Sequence, residues 1–205
     1  MSTIKKMLHS LPKSHTIKWY KPGRKIRVSD RMQKYTYTLE AKPGKKFAPG
    51  FRPQKSPAQM LRLGIFEGKY LNDCIKEFPR EWFINALKRG KLSPERADPS
   101  INLFGVKSRL SLQKWRQNGW IPIAPGDPDV RGWFQWYCRY WIGRRLPGID
   151  EVQIARWRAF ARHAGQILAS YRRLGAARPR TRAEKRQHRA RQRQALLQWA
   201  YDPYL

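Results

Sequence analysis

A stretch of fifteen residues, dense in large aromatic and basic side chains, constrains the fold of this chain more than any other feature. Residues 131–145 read Arg-Gly-Trp-Phe-Gln-Trp-Tyr-Cys-Arg-Tyr-Trp-Ile-Gly-Arg-Arg. At about 3.6 residues per turn, the rings fall on two neighbouring helical stripes, one with Trp133 and Tyr140, the other with Phe134 and Trp141. A helix that is apolar on two faces is buried between other elements, so this stretch predicts the central helix of a core.

The same stretch has a second interpretation, as a surface that binds nucleic acid. Aromatic rings stack on bases, and arginines that reach past the rings would contact phosphates. The rings that would stack are Trp133, Trp136 and Tyr140. The arginines that would bind are Arg131, Arg139, Arg144 and Arg145. Burial of most of the rings in the core is the competing interpretation, and we favour it.

The formal net charge of +30, from 44 Lys and Arg against 14 Asp and Glu, restricts the kind of partner. Self-repulsion at this charge destabilises a compact state unless anions neutralise it, so a polyanion is expected as partner. Nucleic acid fits best, with DNA favoured over RNA. A membrane surface is disfavoured, because no stretch is both amphipathic and rich in exposed aliphatic residues.

Cysteine usage and hydropathy indicate an intracellular protein, whether nuclear, cytoplasmic, organellar or virion-associated. Cys74 and Cys138 lie far apart with no paired spacing, which argues against a disulfide-linked partner and against a zinc site. The sequence has no apolar run long enough for a transmembrane helix, and its N-terminus lacks a secretory signal. We expect no metal and no cofactor, and the sequence does not predict the oligomeric state.

Residues 1–55 differ in composition from the rest of the chain. They carry fifteen Lys or Arg against Asp30 and Glu40, and their prolines and glycines forbid long helices. One interpretation is a flexible, partly disordered basic arm that becomes ordered on a partner or on the domain. The other is a proline-rich wrap over the globular part. Residues 34–40 are β-prone and form either one strand or an extended arm.

Residues 56–175 predict a single compact helical domain with an aromatic-rich core, so the fold class is mostly α. Ser56 and Pro57 begin a first helix, and a glycine-hinged loop from Gly64 enters a second short helix. Pro79 begins a third helix and Ser108 a fourth, before the aromatic helix. An apolar stripe from Asp150 to Leu174 predicts one long helix. Residues 176–205 predict a basic segment and a terminal helix, about Thr181 to Trp199, that docks on the domain.

Further candidates for phosphate binding lie after the aromatic helix, in the long helix and in the basic C-terminal segment. They are Arg156, Arg178, Arg180, Arg182, Lys185, Arg186 and Arg189. Each phosphate that such a cation neutralises makes the affinity more dependent on salt.

Whether the chain is also an enzyme stays open, because none of the common catalytic motifs is present. The weak candidates are Glu67, Lys69 and Asp73, in a glycine-hinged loop. A solvated connector is the favoured interpretation of this loop. One alternative is therefore an enzyme acting on nucleic acid (glycosylase, nuclease or base-modifying), which requires a pocket joining this loop to the aromatic helix. Another is an rRNA-binding structural protein of an organellar ribosome, with arms ordered only inside the particle.

Several motifs together resemble an uncharacterised family of small tryptophan-rich basic proteins of large DNA viruses, microbes and fungi. The motifs are Ser-Pro-x-x-Met-Leu at 56–61, Gly-Ile-Phe-Glu-Gly-Lys-Tyr at 64–70, Pro-Arg-Glu-Trp-Phe at 79–83, the aromatic stretch, Gln-Ile-Ala-Arg-Trp at 153–157 and Arg-Gln-Ala-Leu-Leu-Gln-Trp at 193–199. The resemblance covers roughly residues 56–201. It implies no activity and assigns no catalytic residue.

Overall fold

The structure, a computed structural model, describes residues 11–119 and 127–205 together with Lys6 and His9. In this part of the chain an antiparallel hairpin of β1 (Lys25–Ser29) and β2 (Lys34–Thr38) precedes the helices. The helices are α1 (Pro57–Leu63), α2 (Arg80–Lys88), α3 (Leu112–Gln117), α4 (Trp133–Ile142), α5 (Ile149–Phe160), α6 (Arg162–Leu174), α7 (Arg182–Gln187) and α8 (Ala190–Gln198). The prediction of a mostly α domain with an aromatic-rich core is confirmed.

The aromatic stretch forms α4, and α4 lies at the centre of the core. Gly132 and Gly143, with φ of 81° and 118°, flank the helix at its two ends. Every side chain of α4 is buried except that of half-buried Trp141. The Phe51 ring, from the segment before α1, contacts Trp157 of α5 with ring centroids 4.9 Å apart. Elements from both halves of the chain therefore close over the same helix.

Residues 11–55 pack against the helical domain. The inward side chains of the hairpin, including Ile26, Val28 and Tyr37, are buried, while the alternate residues face solvent. Beyond the hairpin, the backbone N–H groups of Glu40 and Ala41 donate to the carbonyl oxygen of Gly143 at 2.8 and 3.2 Å. The flexible-arm interpretation is therefore wrong for residues 11–55, which form the wrap. Residues 1–5, 7, 8 and 10 lie outside the described part of the chain.

The predicted helix starts are set by local hydrogen bonds. Ser56 and Gln59 form a capping box at α1, where the Ser56 Oγ accepts from the Gln59 amide and the Gln59 side chain accepts from the Ser56 amide. The helix predicted to begin at Ser108 is α3, and it begins later, after Ser111. The reason is that the amides of Ser108 and Arg109 donate to the Glu67 carboxylate at 2.9 and 3.2 Å and are held in a loop.

Two of the predicted helices are each broken in two. The long helix over 150–174 divides at Ala161, whose amide bonds to the carbonyl oxygen of Arg158, three residues back, and tightens the turn there. The terminal helix divides at Arg189, which has a left-handed φ of 53°. The buried Arg193 side chain donates to the carbonyl oxygen of His188 at 2.9 Å and so stabilises this second break.

The last helix, α8, docks on the domain and positions two distant loops. Leu196 and Leu197 are fully buried. The Gln194 side-chain Nε2 donates to the carbonyl oxygen of Gly64 at 3.1 Å. The Gln198 Oε1 accepts from the Phe66 amide at 3.2 Å and from the Ser108 hydroxyl at 2.7 Å. These glutamines hold the loops after α1 and before α3 against the end of the chain.

Candidate nucleic-acid interface

Two of the three rings predicted to stack on bases are inside the core. Trp136 is 0% exposed and Tyr140 is 1% exposed, and each makes a specific hydrogen bond there. The Trp136 indole donates to the Asp150 carboxylate at 2.8 Å, and the Tyr140 hydroxyl accepts from the Ala48 amide at 2.8 Å. The stacking prediction is therefore wrong for these two rings. Trp133 is also largely buried, at 5% exposed, but it lines a cleft that is described below.

Arg131, predicted to bind nucleic acid, is buried in an ion pair with two carboxylates. It lies between Asp30, in the hairpin turn, and Asp73, with N–O distances of 3.0 and 2.6 Å. Burial of Asp30 acts to raise its pKa, but the bonds from Arg131 and from the amides of Met32 and Gln33 outweigh burial and lower the pKa. Arg131 thus ties the hairpin to the helical domain.

Arg139 and Arg144 belong to a second buried network. Arg139 binds both oxygens of Glu77, at 2.5 and 2.9 Å, and Asp129 bridges Arg139 and Arg144 at 3.1 and 2.6 Å. Burial acts to lower the pKa of Arg139, but Glu77 and Asp129 raise it well above its usual range, so the guanidinium stays charged. Both arginines are 0% exposed and already paired, so the prediction that they contact phosphates is wrong. The same prediction is wrong for Arg131, which is 3% exposed and paired with Asp30 and Asp73.

The other two arginines near α4 are half-buried. Arg145 donates to the carbonyl oxygens of Lys45 and Lys46 at 2.7 and 3.0 Å, which fastens the N-terminal wrap to the end of α4. Arg156, on α5, lies 5.9 Å from the Trp199 ring centre and lines the cleft. Among the five predicted arginines at 131, 139, 144, 145 and 156, Arg156 is therefore the one that lies at a cleft lined by several aromatic rings.

The catalytic candidates in the loop after α1 do not converge on one point. Glu67 is 4% exposed and accepts the amides of the 108–109 segment. The Lys69 ammonium donates to the carbonyl oxygen of Glu95 at 2.7 Å, and Asp73 pairs with Arg131. None of the three lines the cleft beside α4. Each has a structural partner, so the pocket that the enzyme alternative requires is not formed by these residues.

The net charge lies on the surface of the protein. Among the described residues, the buried ionic residues are four arginines and four acids, which balance one another. They are Arg131, Arg139, Arg144 and Arg193, and Glu67, Glu77, Asp129 and Asp150. Since the interior is balanced, the formal excess of +30 is carried by partly or fully exposed residues together with the few that the structure does not describe.

Residues 172–191, which we call the basic segment, connect α6 to α8 and carry nine Lys or Arg against the single acid Glu184. The Glu184 carboxylate accepts from the amides of Arg180 and Thr181 at 2.7 and 3.0 Å, completing a capping box at the start of α7. It forms no ion pair within the described chain. The carboxylate therefore bonds to the backbone and pairs with none of the guanidinium groups of the basic segment.

The predicted cations of the basic segment divide into two groups. Three donate to nearby oxygens: Lys185 to the Tyr204 carbonyl, Arg186 to the Leu103 carbonyl and Arg189 to the Gln192 side chain. The other three, Arg178, Arg180 and Arg182, are exposed. Arg172, Arg173 and Arg191 are not among the predicted candidates, and they are exposed on α6 and α8. Their position in or beside the basic run was the available signal.

A cleft of about 560 Å³ opens beside the start of α4, between α3, α5 and α8. Trp199 stacks on Trp133 and on Phe160, with ring centres 4.7 Å apart in both pairs. The aromatic lining is Phe66, Trp115, Trp133, Phe134, Phe160 and Trp199. The polar lining is Ser108, Arg156, Arg162, His163 and Gln198, with no Asp or Glu among the described lining residues.

The helical spacing of Trp115, Phe160 and Trp199 predicts that all three face the core. In the structure all three are half-buried, with part of each ring at the cleft. Their helical periodicity marks them as inward-facing, and it carries no signal that separates a ring inside the core from a ring at the wall of a cleft.

The chain matches no protein-family model, no curated protein and no solved structure. Among the described residues, no helix is long and apolar enough to cross a membrane. The same residues contain no group of three or more His, Cys, Asp or Glu side chains placed to hold a metal ion. Cys74 and Cys138 are free thiols in the core.

Proposed function

We propose that this protein binds nucleic acid, with DNA as the first expected partner, mainly through phosphate contacts from the basic segment. The observation that supports this most directly is a set of exposed arginines without a protein partner. The side chains of Arg172, Arg173, Arg178, Arg180 and Arg191 make no hydrogen bond or ion pair with other described residues. A guanidinium offers several donors to a phosphate and is the side chain best matched to it.

The electrostatics of the whole surface support the same proposal. Because the buried charges balance, the surface attracts polyanions from every side, and the basic segment adds a dense local site. Contacts to phosphates carry no sequence information, so binding is expected to be mostly independent of sequence. Counterions released from the nucleic acid then make the affinity depend steeply on salt, with a log–log slope of about −0.9 per neutralised phosphate of duplex DNA.

The test is a salt titration of binding to a labelled DNA duplex, followed by fluorescence anisotropy. The variant replaces the five unpartnered arginines, Arg172, Arg173, Arg178, Arg180 and Arg191, with glutamine. The matched control replaces five other exposed cations, Lys42, Arg52, Arg62, Lys88 and Arg89, so that the net charge changes equally. We expect the basic-segment variant to lose up to about four units of log–log slope and the control to lose far less.

Two results would contradict the proposal. An affinity that does not change between roughly 50 and 200 mM salt would mean that phosphates are not the ligand. Equal losses for both variants would mean that binding is spread over the surface and that the basic segment is not the site. The same titration with double-stranded RNA of equal length tests the preference for DNA.

A further inference from the structure

We propose that the cleft beside α4 binds an unpaired base of a nucleic-acid strand, which makes the protein a single-strand binder as well as a phosphate binder. The proposal rests on the proposed function, because the strand has to be held by its phosphates as well. It adds a second kind of contact, in which a base leaves the solvent and stacks on aromatic rings.

The aromatic lining gives the cleft the surface that a base requires. Trp133, Trp199 and Phe160 stack on one another, with Tyr137 and His163 beyond the two ends of the stack, and together they form an apolar wall. Trp115 lies at another part of the wall and is half-buried, and it contacts Phe66 and Tyr70 only at 6.1 Å between ring centres. Every base has a flat π face, so stacking on Trp115 against this wall is strong and tolerant of sequence.

The cleft has room for a ligand of this size. Its volume of about 560 Å³ lies within the range of roughly 300–1,000 Å³ that is usual for small-molecule sites. A second cleft, of about 430 Å³ between α1, α2 and α4, provides a comparison within the same chain. A single aromatic residue, Trp141, lines that cleft, so it lacks a stacking surface of several rings.

The charge of the lining distinguishes a nucleic-acid base from a lipid or an apolar peptide. Arg156 and Arg162 lie at the cleft, and no described lining residue is acidic, so a ligand that carries a phosphate next to its ring is favoured. Burial and the neighbouring Arg162 lower the pKa of His163, which keeps its imidazole neutral near pH 7. Its Nδ1 is buried and has no hydrogen-bond partner among the described residues.

A single helix connects the cleft to the basic segment. Arg162 begins α6, and Arg172 and Arg173 lie in its last turn. Ten residues of helix span about 15 Å. A strand with one base in the cleft would therefore follow α6, with its phosphates toward the exposed arginines at both ends. This arrangement predicts that base contacts and phosphate contacts act on the same strand.

The experiment compares three DNA ligands with equal numbers of phosphates at fixed salt. They are an oligothymidylate, an oligonucleotide of the same length made only of abasic sites, and a duplex. The cleft variants are Trp115→Leu and Phe160→Leu, which keep an apolar side chain but lose the π face. The matched control is Trp141→Leu, a half-buried tryptophan at the cleft with one ring.

We expect wild-type protein to bind oligothymidylate at least about tenfold more tightly than the abasic strand. Each cleft variant should bind oligothymidylate about tenfold more weakly than wild-type protein does. Its affinity for the abasic strand and for the duplex should fall by less than about twofold. The control variant should change none of the three affinities by more than about twofold. Thermal melting establishes that each variant is folded.

The inference is overturned if wild-type protein binds the abasic strand as tightly as oligothymidylate. It is also overturned if the folded cleft variants lose the same factor of affinity for the abasic strand as for oligothymidylate. The first of these comparisons needs no variant, so it decides the question even where a substitution prevents folding. Both results leave salt-dependent binding intact. Failure of the proposed function is a different result, in which none of the three ligands shows an affinity that depends on salt.

Discussion

A fully buried arginine is stable only where carboxylates and hydrogen bonds replace its water, and Arg139 meets that condition. Its guanidinium bonds to both oxygens of Glu77 and to Asp129, and it also donates to the Pro128 carbonyl and the Gln33 side chain. The network joins the hairpin turn, the loop before α2 and α4. Its residues therefore determine how three distant parts of the chain fit together.

Replacing Arg139 with methionine should lower the free energy of unfolding by about 3–5 kcal/mol, because Glu77 loses its main partner and stays buried. Chemical denaturation measures this difference. The control is Arg173→Met, at an exposed position without a partner, where a change within about 0.5 kcal/mol is expected. Equal, small effects at both positions would show that the buried network contributes little.

The stability of the wrap should depend on pH through Asp30. Its pKa is lower in the folded chain than in the unfolded chain, so its contribution is complete above the unfolded pKa of about 3.9 and is lost as the pH falls through the folded pKa. Asp30→Asn should therefore lower the stability at pH 7 and flatten its decrease below about pH 4. Urea denaturation from pH 7 to pH 3 measures both effects, and an unchanged acid slope would contradict this account.

Single residues also show what the sequence could not predict. Burial of the rings in residues 131–145 follows from their helical spacing, which places aromatic side chains on two faces. Burial of Arg139 does not follow, because its partners Glu77 and Asp129 come from other parts of the chain. A lone arginine among rings looks like a ligand-binding cation until the positions of those acids are known.

At the scale of elements, the hairpin is part of the core and not an appendage. Ile26 is 3% exposed, while its neighbour Arg27 faces solvent. Ile26→Ala should lower the free energy of unfolding by about 2–5 kcal/mol, because it removes buried methyl groups and leaves a cavity. The control Arg27→Ala should change it by less than about 0.5 kcal/mol. Similar melting temperatures for both variants would restore the flexible-arm interpretation.

The contact between the wrap and α4 requires a glycine at one position. A Cβ atom at Gly143 would lie 2.0 Å from the Ala41 carbonyl oxygen, whereas a Cβ atom at Gly148 would meet nothing within 4 Å. Both residues have positive φ, 118° and 80°. Gly148→Ala should therefore lower the free energy of unfolding only by the cost of placing a Cβ atom on backbone with positive φ, about 1–2 kcal/mol.

Gly143→Ala should lower the free energy of unfolding by a conformational cost of this kind. The forced movement of the backbone at Ala41 should lower it by about 1–3 kcal/mol more. Thermal unfolding of the two variants side by side measures both losses. Both glycines have positive φ but differ in ψ, 7° and −59°, so an excess loss of more than about 1 kcal/mol at Gly143 identifies the steric contribution. A loss at Gly143 no larger than the loss at Gly148 would mean that the segment at Ala41 moves aside freely.

Elements were predictable where their signals are local. The capping residues Ser56 and Thr181 begin α1 and α7 as the sequence indicates, because each bonds within its own first turn. The breaks at Ala161 and Arg189 were not predictable. The buried Arg193 guanidinium that stabilises the second break also donates to the carbonyl oxygen of Pro203, near the end of the chain. Long-range contacts of this kind leave no periodic signal.

At the scale of the whole molecule, folding separates balanced charge from unbalanced charge. The acids are few, yet four of them lie in the interior with four arginines, and Glu184 caps a helix. Little negative charge therefore remains on the surface to screen the lysines and arginines. The sequence predicts the excess of charge. Only the structure shows that the side chains of five arginines of the basic segment have no hydrogen bond or ion pair with described residues, while Arg131, Arg139 and Arg144 pair with carboxylates.

This separation predicts that anions stabilise the folded protein. Repulsion between surface cations is screened as the Debye length falls from about 30 Å at 0.01 M salt to about 8 Å at 0.15 M, so the melting temperature should rise over that range. The variant with the five unpartnered arginines of the basic segment replaced by glutamine should melt higher than wild type at low salt and gain less from added salt.

A DNA oligonucleotide at low salt should stabilise wild-type protein further, by about 2.7 kcal/mol at a free concentration one hundred times its dissociation constant, because it binds the native state. The same oligonucleotide should stabilise the basic-segment variant much less. Calorimetric melting measures all of these differences. A melting temperature that falls as salt is added would mean that attractive ion pairs dominate the surface, and it would contradict the assignment of the net charge to unpaired cations.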